Sequence, residues 1–167
     1  MDRVKRLIEA AIFLSQEPVS LLKLSEKLNL NPQEVEKVVE ELQKEYEVRG
    51  IILRRVANGY KFFTNGDLAN ELKAFVEDKP VKLSKHLLEV LAIIAYRQPI
   101  TRKEIAQIRG QNPDGALKSL LDKGLIEVAG RSDAPGRPKL YRTTKAFLLH
   151  FGIDNLEELP EIQIEEP

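Results

Sequence analysis

Residues 9–43 read EAAIFLSQEPVSLLKLSEKLNLNPQEVEKVVEELQ, and residues 89–124 read EVLAIIAYRQPITRKEIAQIRGQNPDGALKSLLDKG. The two stretches say the same thing 81 residues apart: Pro18-Val19-Ser20 falls on Pro99-Ile100-Thr101, Ala11 and Ile12 on Ala92 and Ile93, Leu24 on Ile105, and Pro32 on Pro113. Each is an apolar helix, a proline break, a short helix, a second proline break and a third helix, followed by two short β-type runs. That order is a winged helix. The expected fold class is therefore mainly α with small β wings, as two tandem winged-helix domains.

Working outward from these stretches, residues 3–16 carry apolar positions at helical spacing, and Pro18 stops that helix. Ser20 caps a helix to Leu28, because its hydroxyl can accept a free N–H of the first turn. Asn31 does the same for the next helix, with Pro32 at the first helical position, where its missing N–H costs nothing. Val35, Val38, Val39, Leu42 and Tyr46 give that third helix one apolar face, and Gly50 is expected to end it. Ile51–Val56 and Tyr60–Thr64 flank Ala57-Asn58-Gly59, where Asn-Gly suits the positive φ of a tight hairpin. Residues 67–77 read as one more amphipathic helix, broken by Asp78-Lys79-Pro80.

The second copy repeats the plan. Ser84 caps a helix to Arg97, Thr101 caps 102–109 with Glu104 at capping-box spacing, and Asn112-Pro113 opens a third helix that Gly124 closes. Leu125–Val128 and Leu140–Thr143 read as strands. AGRSDAPGRPK between them, residues 129–139, is too rich in Gly and Pro for regular structure. A last helix spans 145–151. The expected organisation is 1–80, an N-terminal winged-helix domain; 81–152, a C-terminal one; and 153–167, an acidic tail that frays beyond Leu159.

The chain of 167 residues is 43% hydrophobic and 31% charged, ordinary for a globular protein. No run approaches the ~20 apolar residues of a membrane span, and the start lacks a signal-peptide core, so the expected location is cytoplasmic. There is no cysteine, and two isolated histidines, His86 and His150, do not suggest a metal site. Net charge is zero but divided. Residues 1–80 hold 13 Lys/Arg against 14 Asp/Glu, 81–152 hold 13 against 6, and 153–167 hold none against 6.

A winged helix invites DNA reading through its third helix. Here that helix carries Glu34, Glu36, Glu40, Glu41, Glu45 and Glu47 against Lys37 and Lys44, a surface that repels phosphate. Its counterpart offers Asn112, Lys118 and Lys123 opposed by Asp114 and Asp122, with no Arg or Gln for bidentate base contacts. Arg131, Lys139 and Arg142 of the second wing remain the candidates for DNA contact. No phosphate-binding glycine loop and no nucleophile–base set is present, so the expectation is a non-enzyme without cofactor. The apolar runs are more suggestive. Ala10–Leu14 is unbroken, and Leu87–Tyr96 is interrupted only by Glu89. A helix apolar all round needs cover on several sides. Ile8, Ile12, Phe13, Leu72 and Phe75 are the candidates for a dimer interface. Tyr96, Arg97 and Arg137 are the candidates for partner binding, because Tyr and Arg anchor interfaces.

The stretch from LAIIAYRQP through EIAQIRG, the G-R…PGRP wing and the closing TTKAFLLHFG resembles the second domain of bacterial segregation and condensation protein B. EAAIFLSQEPVS, ELQKEY and GYKF match the first domain of that family more loosely, so the likeness covers roughly residues 5–160. The resemblance implies a non-enzymatic accessory subunit of the bacterial condensin-like complex, nucleoid-associated and homodimeric. It would bind the kleisin subunit, segregation and condensation protein A, and through it the SMC ATPase, with DNA met through the complex and no membrane involved. The alternative from another class is a winged-helix DNA-binding transcriptional regulator.

Overall fold

The computed structural model describes residues 3–76 and 82–161. The chain divides into two compact units, residues 1–78 with 152–167, and residues 79–151.

In the first unit, α1 (Arg3–Leu14), α2 (Leu21–Leu28) and α3 (Pro32–Tyr46) precede a hairpin of β1 (Ile51–Val56) and β2 (Gly59–Thr64). Ser20 Oγ accepts from Lys23 N, and Asn31 Oδ1 accepts from Gln33 N at 2.9 Å. Val19 forms a single bridge with Tyr60, N to O at 3.0 Å and 2.8 Å, which closes the hairpin onto the helices. Ile8, Ile12, Leu24, Val35, Val39 and Leu42 make the core, against which Tyr60 and Phe62 pack from the wing.

In the second unit, α5 (Lys85–Arg97), β3 (Ile100–Thr101), α6 (Arg102–Arg109), α7 (Asp114–Asp122), β4 (Ile126–Arg131), β5 (Lys139–Thr143) and α8 (Lys145–Phe151) follow in order. The sheet order is β3-β5-β4, all antiparallel. Thr101 and Glu104 form the full capping box, and Asn112 Oδ1 accepts from Asp114 N at 3.0 Å as Asn31 does in the first unit. Gln98 ties the end of α5 to the sheet, its Oε1 accepting from Thr143 N at 2.9 Å. Both units are winged helices. The 81-residue offset holds at the wing itself, since Val19 pairs with Tyr60 and Ile100 with Tyr141.

Several expectations are corrected. In the first helices burial runs one residue out of the proline register: Ile8 and Ile12 answer to Val90 and Ile94, not to Glu89 and Ile93. The corresponding helix α5 runs up to Arg97, two residues before Pro99, whereas α1 stops at Leu14, four residues before Pro18. The first hairpin turns at Ala57-Asn58 (φ 50° and 61°), not at Asn-Gly, and Gly59 sits in β2 opposite Val56. Gly59 is required there by close approach, because a Cβ would lie 2.8 Å from Pro18 C and 2.9 Å from Val19 N.

The helix expected over 67–77 is instead a four-residue α4 (Ala69–Leu72) between two 3-10 turns, Gly66–Leu68 and Lys73–Phe75. None of its residues is buried, so no packed face extends it. Part of AGRSDAPGRPK is regular after all. A bulge between Val128 and Gly130 lets β4 continue to Arg131, and β5 begins at Lys139. The break expected at Asp78-Lys79-Pro80 lies outside the described residues.

Candidate interaction surfaces

The first unit carries an open groove of about 860 Å³ between the outer face of α1 and the wing. Its aromatic side is built by three elements. Phe62 points from β2 with its ring 4.8 Å from Tyr46 of α3, edge on, and Phe13 of α1 stands 6.4 Å from Phe62. Such tilted arrangements suit aromatic quadrupoles. Arg49 lies over the Tyr46 ring at 4.6 Å from its centroid. The Tyr46 hydroxyl donates to Glu9 Oε1, and that hydrogen bond, with burial second, raises the phenol above its ordinary range. Arg3 and Arg6 supply positive charge at the rim, with Leu7, Ala10 and Ile51 as apolar wall. On another side of α1, Lys5 pairs with Glu45 and, at 3.5 Å, with Glu41. The hydrogen bond to Glu45 is the first cause of its raised pKa. Two of the acidic side chains of α3 are therefore already occupied within the unit.

The structure separates the five residues expected at a self-association face. Ile8 and Ile12 are 0% and 1% exposed and belong to the core, because the inward side of α1 falls on them. Phe13 is 73% exposed, its neighbour Leu14 85% and Phe75 81%, while Leu72 is half-buried. Phe13 borders the groove; Leu72 and Phe75 sit on the α4 segment, away from its lining. Sequence reading missed Tyr46 and Phe62 as groove residues. The GYKF stretch was the available signal, since its two aromatics, Tyr60 and Phe62, are two residues apart and so share one face of β2.

In the second unit Tyr96 is half-buried and Arg97 exposed at the end of α5. Leu88 and Ala92 are exposed on the same helix, so its circumference is not fully covered by its own unit. Arg137 lies in the β4–β5 loop, with φ of 43° directly after Gly136 at 84°. Its N–H donates to Ala134 O at 2.9 Å, its carbonyl accepts from Arg131 Nη1 at 3.0 Å, and Ser132 N donates to Pro138 O at 2.8 Å. The PGRP segment thus has one hydrogen-bonded shape. Of the candidates for DNA contact, Arg142 pairs with Glu127 at 2.7 Å and Arg131 holds the loop; Lys139 is exposed. Elsewhere in this unit Arg109 reaches back to His86 and to Glu89, the latter at 3.5 Å. Among the described residues no group of three or more His, Cys, Asp or Glu is placed to hold a metal ion, and no helix is long and apolar enough to cross a membrane.

Fold and surfaces together define a tandem winged-helix protein whose accessible features are an aromatic groove, exposed apolar residues and a shaped basic loop. The chain belongs to the family described as segregation and condensation complex subunit ScpB, whose family model matches residues 6–162. Segregation and condensation protein B of Symbiobacterium thermophilum is 43% identical over 96% of this chain and 74% of its own length. Among solved structures, ScpB from Mycobacterium tuberculosis is 30% identical, covering 92% of this chain and 98% of that one, at a TM-score of 0.43. A structure described as a dimer of ScpB N-terminal domain complexed with ScpA peptide is 32% identical, covering 43% of this chain and 93% of that one, at a TM-score of 0.40.

Proposed function

We propose that this chain acts as a non-enzymatic, homodimeric accessory subunit of an SMC–kleisin complex, binding the kleisin directly and serving chromosome condensation and segregation. Family membership supports the role. The observation that carries self-association through the first unit is the aromatic groove beside α1, with Phe13 and Leu14 exposed at the end of that helix. Large aromatics left in water next to a concave apolar surface are the groups that anchor protein interfaces. The first unit supplies the self-association face through Phe13, Leu72 and Phe75, and the second unit supplies kleisin anchors through Tyr96, Arg97 and Arg137. An amphipathic kleisin segment would lie in a helix-in-groove or strand-addition mode.

The test is co-purification of the full chain with its genomic kleisin, followed by mass measurement. The expected mass is two copies of this chain with kleisin; a one-to-one complex or no complex refutes the reading. Phe13→Asp is expected to shift the free chain to monomer by light scattering at tens of micromolar. Tyr96→Ala or Arg97→Ala, folded by circular dichroism, is expected to weaken kleisin binding by about 2 kcal/mol or more. Unchanged affinity in both moves the anchors to the first unit.

A further inference from the structure

Residues 152–161 belong with the first unit, and the wing of that unit supplies the donors that hold them. The positive φ of Ala57 and Asn58 places two successive N–H groups beyond the last rung of the β1–β2 ladder. Successive amides in a turn form a concavity that favours an anion. Ala57 N–H donates to the Ile153 carbonyl at 3.1 Å, and Asn58 N–H to Asp154 Oδ1 at 2.8 Å. Arg55 Nε lies 2.8 Å from Asp154 Oδ2, and Arg54 Nη2 donates to the Gly152 carbonyl at 3.2 Å. Asp154 is only 5% exposed, with both carboxylate oxygens engaged. The segment presents that carboxylate through its own local fold: Asp154 N donates to Glu158 Oε1 at 3.3 Å, and Asn155 caps a 3-10 turn over Leu156–Glu158.

The apolar side chains of the segment contribute little. Ile153 and Leu159 are half-buried and Leu156 is exposed. A segment held by a few polar contacts exchanges them with water at small net change, and it lacks the buried apolar area that would make it part of the core. These are the properties of a bound ligand rather than of a structural element.

We propose that the wing tip of the first unit is a docking site for an extended acidic peptide, filled in cis by residues 152–158 as a releasable strap. Recognition needs a carbonyl at one residue, for Ala57 N–H, and a carboxylate at the next, for Asn58 N–H and Arg55. An acidic segment with that pattern competes for the site when the strap leaves.

Two measurements on the full chain test this. In amide hydrogen exchange on the unaltered protein, Ala57 and Asn58 are expected to exchange at least ~10-fold faster than the paired amides of β1 and β2, through local opening. Exchange of these two amides only with global unfolding overturns the proposal. In the second, a labelled peptide of residues 152–161 is titrated against the unaltered chain and against Asp154→Ala. The variant, its own strap released, is expected to bind the peptide at least ~10-fold more tightly, and a peptide carrying Asp154→Asn is expected to lose that binding. Equal affinity for both chains, or indifference to the altered peptide, overturns it. So does loss of the first unit's amide spectrum in the variant, because a releasable strap leaves the unit standing.

Discussion

The two units are one plan executed with opposite emphasis. The third helix is 15 residues in the first unit and 9 in the second. The wing turn is two residues in the first, Ala57-Asn58, and seven in the second, residues 132–138. The shorter helix and the longer loop nearly cancel, which is why Tyr60 and Tyr141 recover the 81-residue offset although the strands before them do not. The scaffold contacts, from the proline-flanked bridge to the caps at Ser20 and Thr101 and the i-to-i+2 hydrogen bonds accepted by Asn31 and Asn112, are common to both. Length is redistributed only where it changes what each unit offers outward. The first offers a long acidic helix, an aromatic groove and a tight wing; the second offers a short helix and a basic, hydrogen-bonded loop.

The wings provide the largest expected contrast. Gly59→Ala pushes a methyl group into the backbone at Pro18-Val19, and such overpacking costs about 1–3 kcal/mol. Gly136→Ala meets nothing within 4 Å and suffers only from its φ of 84°, a cost of about 1–2 kcal/mol. Urea denaturation followed through amide signals of each unit should show the first variant lowering only the first unit's midpoint and the second variant only the second's. A Gly59→Ala protein as stable as the parent would break the idea that the tight wing is locked to the proline bridge.

The caps sharpen the comparison at smaller scale. Ser20 caps alone, whereas Thr101 shares a reciprocal box with Glu104. Ser20→Ala and Thr101→Ala are each expected to cost about 1 kcal/mol, with the larger loss at Thr101, read from the same denaturation curves. Equal losses would make the box redundant.

The smallest effect is a pH dependence confined to the second unit. The hydrogen bond from the Thr101 side chain, then that from its backbone, holds the Glu104 carboxyl below its ordinary pKa. A depressed carboxylate contributes stability above its unfolded value, and that contribution is lost as pH falls through the folded value. Thr101→Ala should therefore flatten the acid limb of the second unit's stability profile, and Ser20→Ala should leave the first unit's limb unchanged. An unaltered acid limb in Thr101→Ala would separate Glu104 from the cap.

What was legible in the sequence was what is local. Prolines, caps and helical spacing sit within a few residues of the structure they cause, so α2, α6 and α8 were readable nearly to their ends; α3 starts at Pro32 as expected but ends at Tyr46, short of the Gly50 expected to close it. The run Ala10–Leu14 was readable as apolar but not as oriented. Only the packed unit shows that Ile12 faces in while Phe13 and Leu14 face out. The hairpin corner was misread by one residue because the turn is set by the distant Val19–Tyr60 bridge rather than by the preference of Asn-Gly. The groove needed Tyr46 from α3 and Phe62 from β2 to meet, and the Asp154 contact joins residues 96 apart. Neither leaves a periodic trace.

That last separation has a temporal side. The whole second unit is encoded between the wing tip at Asn58 and the carboxylate it binds. At a synthesis rate of about 5–20 residues per second, the wing tip waits roughly 5–20 s for Asp154 to be made. The second unit, contiguous in sequence, is synthesised in full during that interval. The domain that begins first is thus completed last, and while it waits the Ala57 and Asn58 amides stand open to water or to whatever acidic segment the nascent chain meets.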